Sequence, residues 1–156
     1  MGERLQGAGR ESRPNAAKEF LSSYRGLYLY YQELTEQIRT LRDRATDVSA
    51  KLKPVSVQTG GAGDTVGDGA ARIADAEMEL PEAAARAARQ LARILQAVEA
   101  VPDAMQRAVL SKRYISGKNW DEICTEIGYE KTRTFELHGW GLLAVNRWLE
   151  ANALED

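Results

Sequence analysis

Between Lys18 and Leu52 the apolar residues recur at alternating spacings of 4 and 3 without a miss. Phe20, Tyr24, Leu27, Tyr31, Leu34, Ile38, Leu41, Ala45, Val48 and Leu52 all keep to this heptad register. Such a run is the signature of a helix presenting one continuous seam to another helix. At ~1.5 Å per residue that helix is about 50 Å long. It cannot bury its seam alone. Gly26 costs about 1 kcal/mol of helix propensity, which so long a pattern tolerates.

A partner helix follows in the same chain. Ile73, Glu77, Leu80, Ala84, Ala87, Leu91, Ile94, Val98 and Val101 repeat the alternation over a stretch from about Ala70 to Val101. Glu77 is an acid on an apolar seam. Pro81 removes a backbone donor, which predicts a kink or a division, with Thr65 to Leu80 as a separate frayed helix. Between the two stretches, Lys53-Pro54 stops the first helix, and five glycines between Val55 and Ala70 mark a flexible tip. Folding back about that tip sets Leu41 beside Ala84, Ile38 beside Ala87, Leu34 beside Leu91 and Tyr31 beside Ile94. In the first two pairs a large residue then faces a small one, as close helix packing requires. An antiparallel coiled-coil hairpin is expected. The alternative zips each helix against another chain. A homodimer is compatible with either, because one hairpin has a narrow core and Tyr28 and Tyr30 remain available for contact.

The last third reads differently. Pro102-Asp103 suits a helix start, and Ala104, Val109, Leu110, Tyr114 and Ile115 give the third helix its apolar face until Gly117 ends it. Asn119 can cap the next helix, with Glu122 reaching back to the cap in a capping box. Ile123 and Ile127 share a face with Trp120, and Gly128 supplies the left-handed residue that closes the helix. After Tyr129-Glu130-Lys131 a longer pattern offers Phe135, Leu137, Leu142, Val145 and Trp148 for burial. A short helix, a glycine turn and a longer helix make a helix-turn-helix. Cys124 falls where the two helices pass closest, so a small residue is needed there.

This window resembles the fourth region of sigma-70-family transcription factors. It is still more similar to the helix-turn-helix of phage and prophage ArpU/RinA-type late transcriptional activators. The resemblance rests on Arg113-Tyr114-Ile115, Gly117-Lys118, Trp120, Glu122-Ile123, Ile127-Gly128-Tyr129, Leu137-His138 and Gly141-Leu142. Before Arg113 the likeness is one of architecture: a long helix, a glycine-rich insert and a second long helix. It implies a module that binds duplex DNA and switches on late genes such as those for packaging and lysis. It also implies that Lys131, Thr132, Phe135 and Glu136 hold the positions that read a promoter.

The residues themselves single out Lys131 and Arg133, the cations on the first turns of the second helix. Those turns enter the major groove in helix-turn-helix docking, and Arg is the best bidentate reader of guanine. Arg107, Lys112, Arg113 and Lys118 form a second cationic group suited to tracking the DNA backbone. Yet the chain's net charge is −2, and Pro102 to Asp156 holds 7 basic and 9 acidic residues. A basic face must therefore come from segregation of charge. Near-neutral charge and Phe135 motivate the alternative, a coiled-coil interaction module that contacts bacterial RNA polymerase or another regulator and touches DNA little.

Composition narrows the rest. The 156 residues are 44% hydrophobic, rich in Ala and without alternating strand patterns, so the class is all-α. One Cys and one His exclude a disulfide and a metal cluster, and neither has a catalytic partner at sensible spacing, so no enzyme and no cofactor are expected. Trp120, Trp140 and Trp148 are expected as core or helix-end anchors. No apolar run reaches the ~20 residues of a membrane span, and the N-terminus lacks the apolar core of a signal peptide, which points to the bacterial cytoplasm. The expected organisation is a disordered lead-in over 1–16, a hairpin over 17–101 with its tip at 53–70, and a helix-turn-helix domain over 102–150.

Overall fold

The computed structural model describes residues 13–51 and 63–153. Five α-helices appear in order: α1 (Arg13–Lys51), α2 (Gly63–Glu99), α3 (Ala104–Leu110), α4 (Trp120–Ile127) and α5 (Lys131–Asn152). A π-helical turn, Ser111–Ile115, continues α3. The described residues contain no strand, and the class is all-α with α1 and α2 forming a long antiparallel hairpin. Of the expected lead-in, residues 1–12 lie outside the described residues and 13–16 belong to α1. Of the expected tip, residues 53–62 lie outside them and 63–70 are helical.

That earlier start of α2 moves the hairpin register. Gln90 donates to Ser23 Oγ at 2.7 Å, where the expected pairing would set residue 90 beside residue 35. Leu34 and Ile38 pack on Ala83, with Tyr31, Ala76 and Leu80 around them. Ile94 packs in the cluster of Ala17 and Leu21. None of the four expected facing pairs is formed. The large-against-small principle survives, but the turn is recentred and residues of α2 face residues of α1 farther from the tip.

Pro81 does not divide α2, which runs unbroken through it. Residue 81 is exposed, so the carbonyl deprived of its donor can turn to water. Glu77 also escapes the apolar seam, since its carboxylate pairs with Arg42 across the hairpin. The seam of α1 fades toward the tip: Leu41 is half-buried, whereas Ala45 and Val48 are exposed.

The described residues group into two packed units. One joins residues up to Gly26 with those from Arg89 onward, and the other spans Leu27–Ala88. In the first, Leu21, Ile94, Val98 and Val101 form a core with Leu110, Tyr114, Leu142 and Val145. The ends of the hairpin are thus packed with α3 and α5, so this unit does not stop at residue 101. Arg107 secures the turn into α3 by donating to the carbonyls of Val101 at 2.7 Å and Pro102 at 3.0 Å. A second cluster, Val109, Ile123 and Leu137 with Met105, Trp120 and Ile127, joins α3, α4 and α5. Gly141 lets α5 approach α3 closely, since a Cβ there would lie 3.0 Å from Leu110 Cδ1.

Among the described residues of the second unit the buried apolar side chains are Leu34, Ile38, Ala83 and Ala87. No described helix is long and apolar enough to cross a membrane.

Candidate nucleic-acid interface

The local chemistry of the helix-turn-helix matches its sequence signals closely. Glu122 N–H donates to Asn119 Oδ1 at 2.9 Å, and Asn119 N–H donates to Glu122 Oε2 at 2.9 Å. This reciprocal box fixes the entry of α4. Gly128 closes α4 at φ 74°, a left-handed conformation that a side chain strains. The N–H groups of Gly128 and Tyr129 both return to the Cys124 carbonyl, at 3.0 and 3.3 Å. At the helix crossing the Cys124 thiol lies 3.3 Å from Thr134 Oγ1. Thr134 is fully buried, and its hydroxyl donates to the Glu130 carbonyl at 3.0 Å. Small polar groups therefore hold the two helices at close range, with Ile123 and Leu137 buried behind them.

The residues expected to meet DNA stand on the outer side of this unit. Lys131, Thr132, Arg133, Phe135 and Glu136 are all exposed. Helical periodicity sets Lys131 on the side of Phe135, Arg133 with Glu136 and Trp140, and Thr132 between. Phe135, expected for burial, is 46% exposed. Its ring meets Trp120 edge-on at 4.9 Å, so the indole occupies the inner position that Phe135 would have filled. Trp140, expected as an anchor, is 45% exposed. Arg133 stacks over it at 5.0 Å from the ring centroid.

The cations of this face are not bare. Lys131 Nζ lies 2.8 Å from Asp121 Oδ1, and that hydrogen bond raises the lysine's pKa. Arg133 Nη1 lies 3.1 Å from Glu136 Oε2. Lys112 and Lys118 converge on the two oxygens of Glu126 and hold its pKa below the usual carboxylate value. Arg113 lies over Trp120 at 4.8 Å and donates to the Lys118 carbonyl at 3.2 Å. Between Ser111 and Glu136 the sequence holds 5 basic and 5 acidic residues. Each lysine on the face is thus held by a carboxylate of α4. The sequence names Asp121 and Glu126, but only the folded geometry brings them to those lysines. Glu122 is engaged in the cap, as its spacing from Asn119 implies.

His138 is half-buried among Tyr114 and Trp120. Its Nε2 lies 2.8 Å from the Tyr114 hydroxyl, and its ring lies 4.9 Å from Trp120 in an edge-on arrangement. Burial, aided by the positive charges of Lys18 and Arg113, pushes its pKa down to about 4. The ring is neutral at pH 7 and serves as a packing and hydrogen-bonding element. Among the described residues no group of three His, Cys, Asp or Glu side chains could hold a metal ion. Comparison with protein-family models, with curated proteins and with solved structures finds no match for the chain.

Proposed function

We propose that this protein is a sequence-specific DNA-binding transcription regulator of the phage or prophage kind, docking the first turns of α5 into the major groove. The observation that carries the reading is one of placement. Lys131, Thr132, Arg133 and Glu136 stand together in solvent at the start of α5, while Thr134, Leu137 and Gly141 on the reverse face are buried. A recognition helix needs that division between an inner face that fixes it and an outer face free for a groove. Arg133 supplies a bidentate donor for guanine, Lys131 a cation for guanine or phosphate, and Glu136 an acceptor for cytosine N4. Lys112 and Lys118 supply cations for the DNA backbone in this reading. The Arg113-to-Leu142 likeness to late activators supports the same reading.

Repeated selection from a random-sequence duplex pool tests it. The full chain is expected to enrich a defined motif, and Arg133→Ala to relax the preference at one base pair. A pool that stays random after several rounds argues against sequence-specific recognition.

A second reading has its own support. The carboxylates beside Lys131, Arg133, Lys112 and Lys118 neutralise the face. Phe135 and Trp140 also offer exposed aromatic area. A face of this kind suits a protein partner such as RNA polymerase, with DNA touched only within the complex. Recovery of polymerase subunits by the Lys131→Glu/Arg133→Glu variant, which should not hold DNA by itself, favours this second reading.

A further inference from the structure

Among its described residues, the unit formed by Leu27–Ala88 buries few apolar side chains. Its buried apolar side chains, Leu34, Ile38, Ala83 and Ala87, form one narrow layer between two helices. Two-helix hairpins rarely bury enough apolar area to stand by themselves, and four-helix packing is the usual remedy. Along one side of this layer runs an open groove of about 730 Å³. Leu34, Leu41 and Ala76 line it, together with the half-exposed ring of Tyr30.

The charges around the groove are ordered along its length. Arg44 on α1 and Arg72 on α2 mark its tip end, Asp75 lies near its middle, and Glu33, Glu36 and Glu79 mark the opposite end. The acids at that end already have neighbours of modest strength. Glu36 lies 3.8 Å from Arg39, Glu79 lies 3.8 Å from Arg86 and accepts from Tyr30, and Glu33 accepts from Gln37 at 3.3 Å. Among the described residues, neither Arg44 nor Arg72 meets a carboxylate within ion-pair distance.

From this we infer that the groove side of the Leu27–Ala88 hairpin docks on the same side of a second copy of this chain, in an antiparallel two-fold arrangement. A two-fold axis across the middle of the groove, near Gln37 and Ala76, brings the Arg44/Arg72 end of each copy onto the Glu33/Glu36 end of the other. The surface is self-complementary in charge, which an isologous contact requires. Its size also fits. Two helices abreast over the ~25 residues of α1 in this unit present a face on the order of 700 Å², close to the ~800 Å² that each partner gives to a standard interface. The product is a four-helix bundle covering Leu41, Ala76 and Tyr30. This inference does not rest on DNA binding.

Sedimentation velocity of the full chain, with two charge-reversed variants, tests it. The parent protein is expected to dimerise at micromolar concentration. Arg44→Glu/Arg72→Glu sets acid against acid, and Glu33→Arg/Glu36→Arg sets base against base, so each should dissociate at least tenfold more readily. Mixing the two variants restores opposite charges at both contacts and should restore the dimer. Circular dichroism on each variant separates loss of association from loss of helix. A monomer at every concentration, a dimer indifferent to both reversals, or a mixture that stays monomeric overturns the inference.

Discussion

The ammonium of Lys131 lies 2.8 Å from the carboxylate of Asp121, tying the first turn of α5 to the first turn of α4. Both side chains are largely exposed, at 61% and 80%. The pair therefore sets the charge offered to a ligand far more than it holds the helices together. Asp121→Asn releases Lys131 and removes a negative charge from the face. Duplex DNA should then bind about 3- to 10-fold more tightly at low salt, with the gain shrinking as salt screens the face. Parallel titrations of parent and variant check this, and the thermal midpoint should hardly move.

Glu126 restrains two cations at once, since both Lys112 and Lys118 donate to it. Glu126→Gln frees both for phosphate oxygens. The slope of log affinity against log salt should steepen by about 1 to 2, given roughly 0.9 for each phosphate neutralised. A slope equal to that of the parent would place these lysines off the DNA path.

The His138 ring gives stability a dependence on pH. Its folded pKa, about 4, lies below the ordinary 6.5, so the unfolded chain takes up the proton first. Its contribution is complete above pH 6.5 and is lost progressively as pH falls toward 4. For a half-buried ring screened by solvent the loss is on the order of 1 to 2 kcal/mol. Urea melts of parent and His138→Gln across this range should converge as pH falls, because the variant lacks the titrating group.

Two neighbouring glycines of α5 should respond in opposite ways. A Cβ at Gly139 would meet open space, whereas one at Gly141 would press on Leu110, which is fully buried and has little room to yield. Gly139→Ala should stabilise by up to ~1 kcal/mol through helix propensity. Gly141→Ala should destabilise by about 1 kcal/mol, the strain of a crowded core exceeding the same propensity gain. Chemical denaturation of the two variants side by side decides it.

Much of this fold was legible because its signals are local. Asn119, Glu122 and Gly128 act within a few residues of themselves, and the α4 geometry follows from them. The heptad spacing likewise identified the hairpin and most of its seam. The register was not legible, because it depends on where α2 begins, and glycines at 63, 67 and 69 disfavour helix in isolation. Pro81 misled for a similar reason, since its cost depends on whether the orphaned carbonyl faces water. At the candidate interface, spacing identified Lys131 and Arg133 as the outer cations. The carboxylates beside Lys112, Lys118 and Lys131 come from a different helix, and the place of Phe135 was taken by Trp120, so those features required the tertiary structure.

The most direct measurement is fluorescence anisotropy of a labelled duplex carrying the selected motif, titrated with the full chain from low to physiological salt. The parent protein should bind, and its affinity should fall steeply as salt rises. Lys131→Glu/Arg133→Glu should abolish the signal while its circular dichroism stays unchanged. Absence of binding at low salt, affinity indifferent to salt, or full binding by the charge-reversed variant would contradict a recognition role for α5.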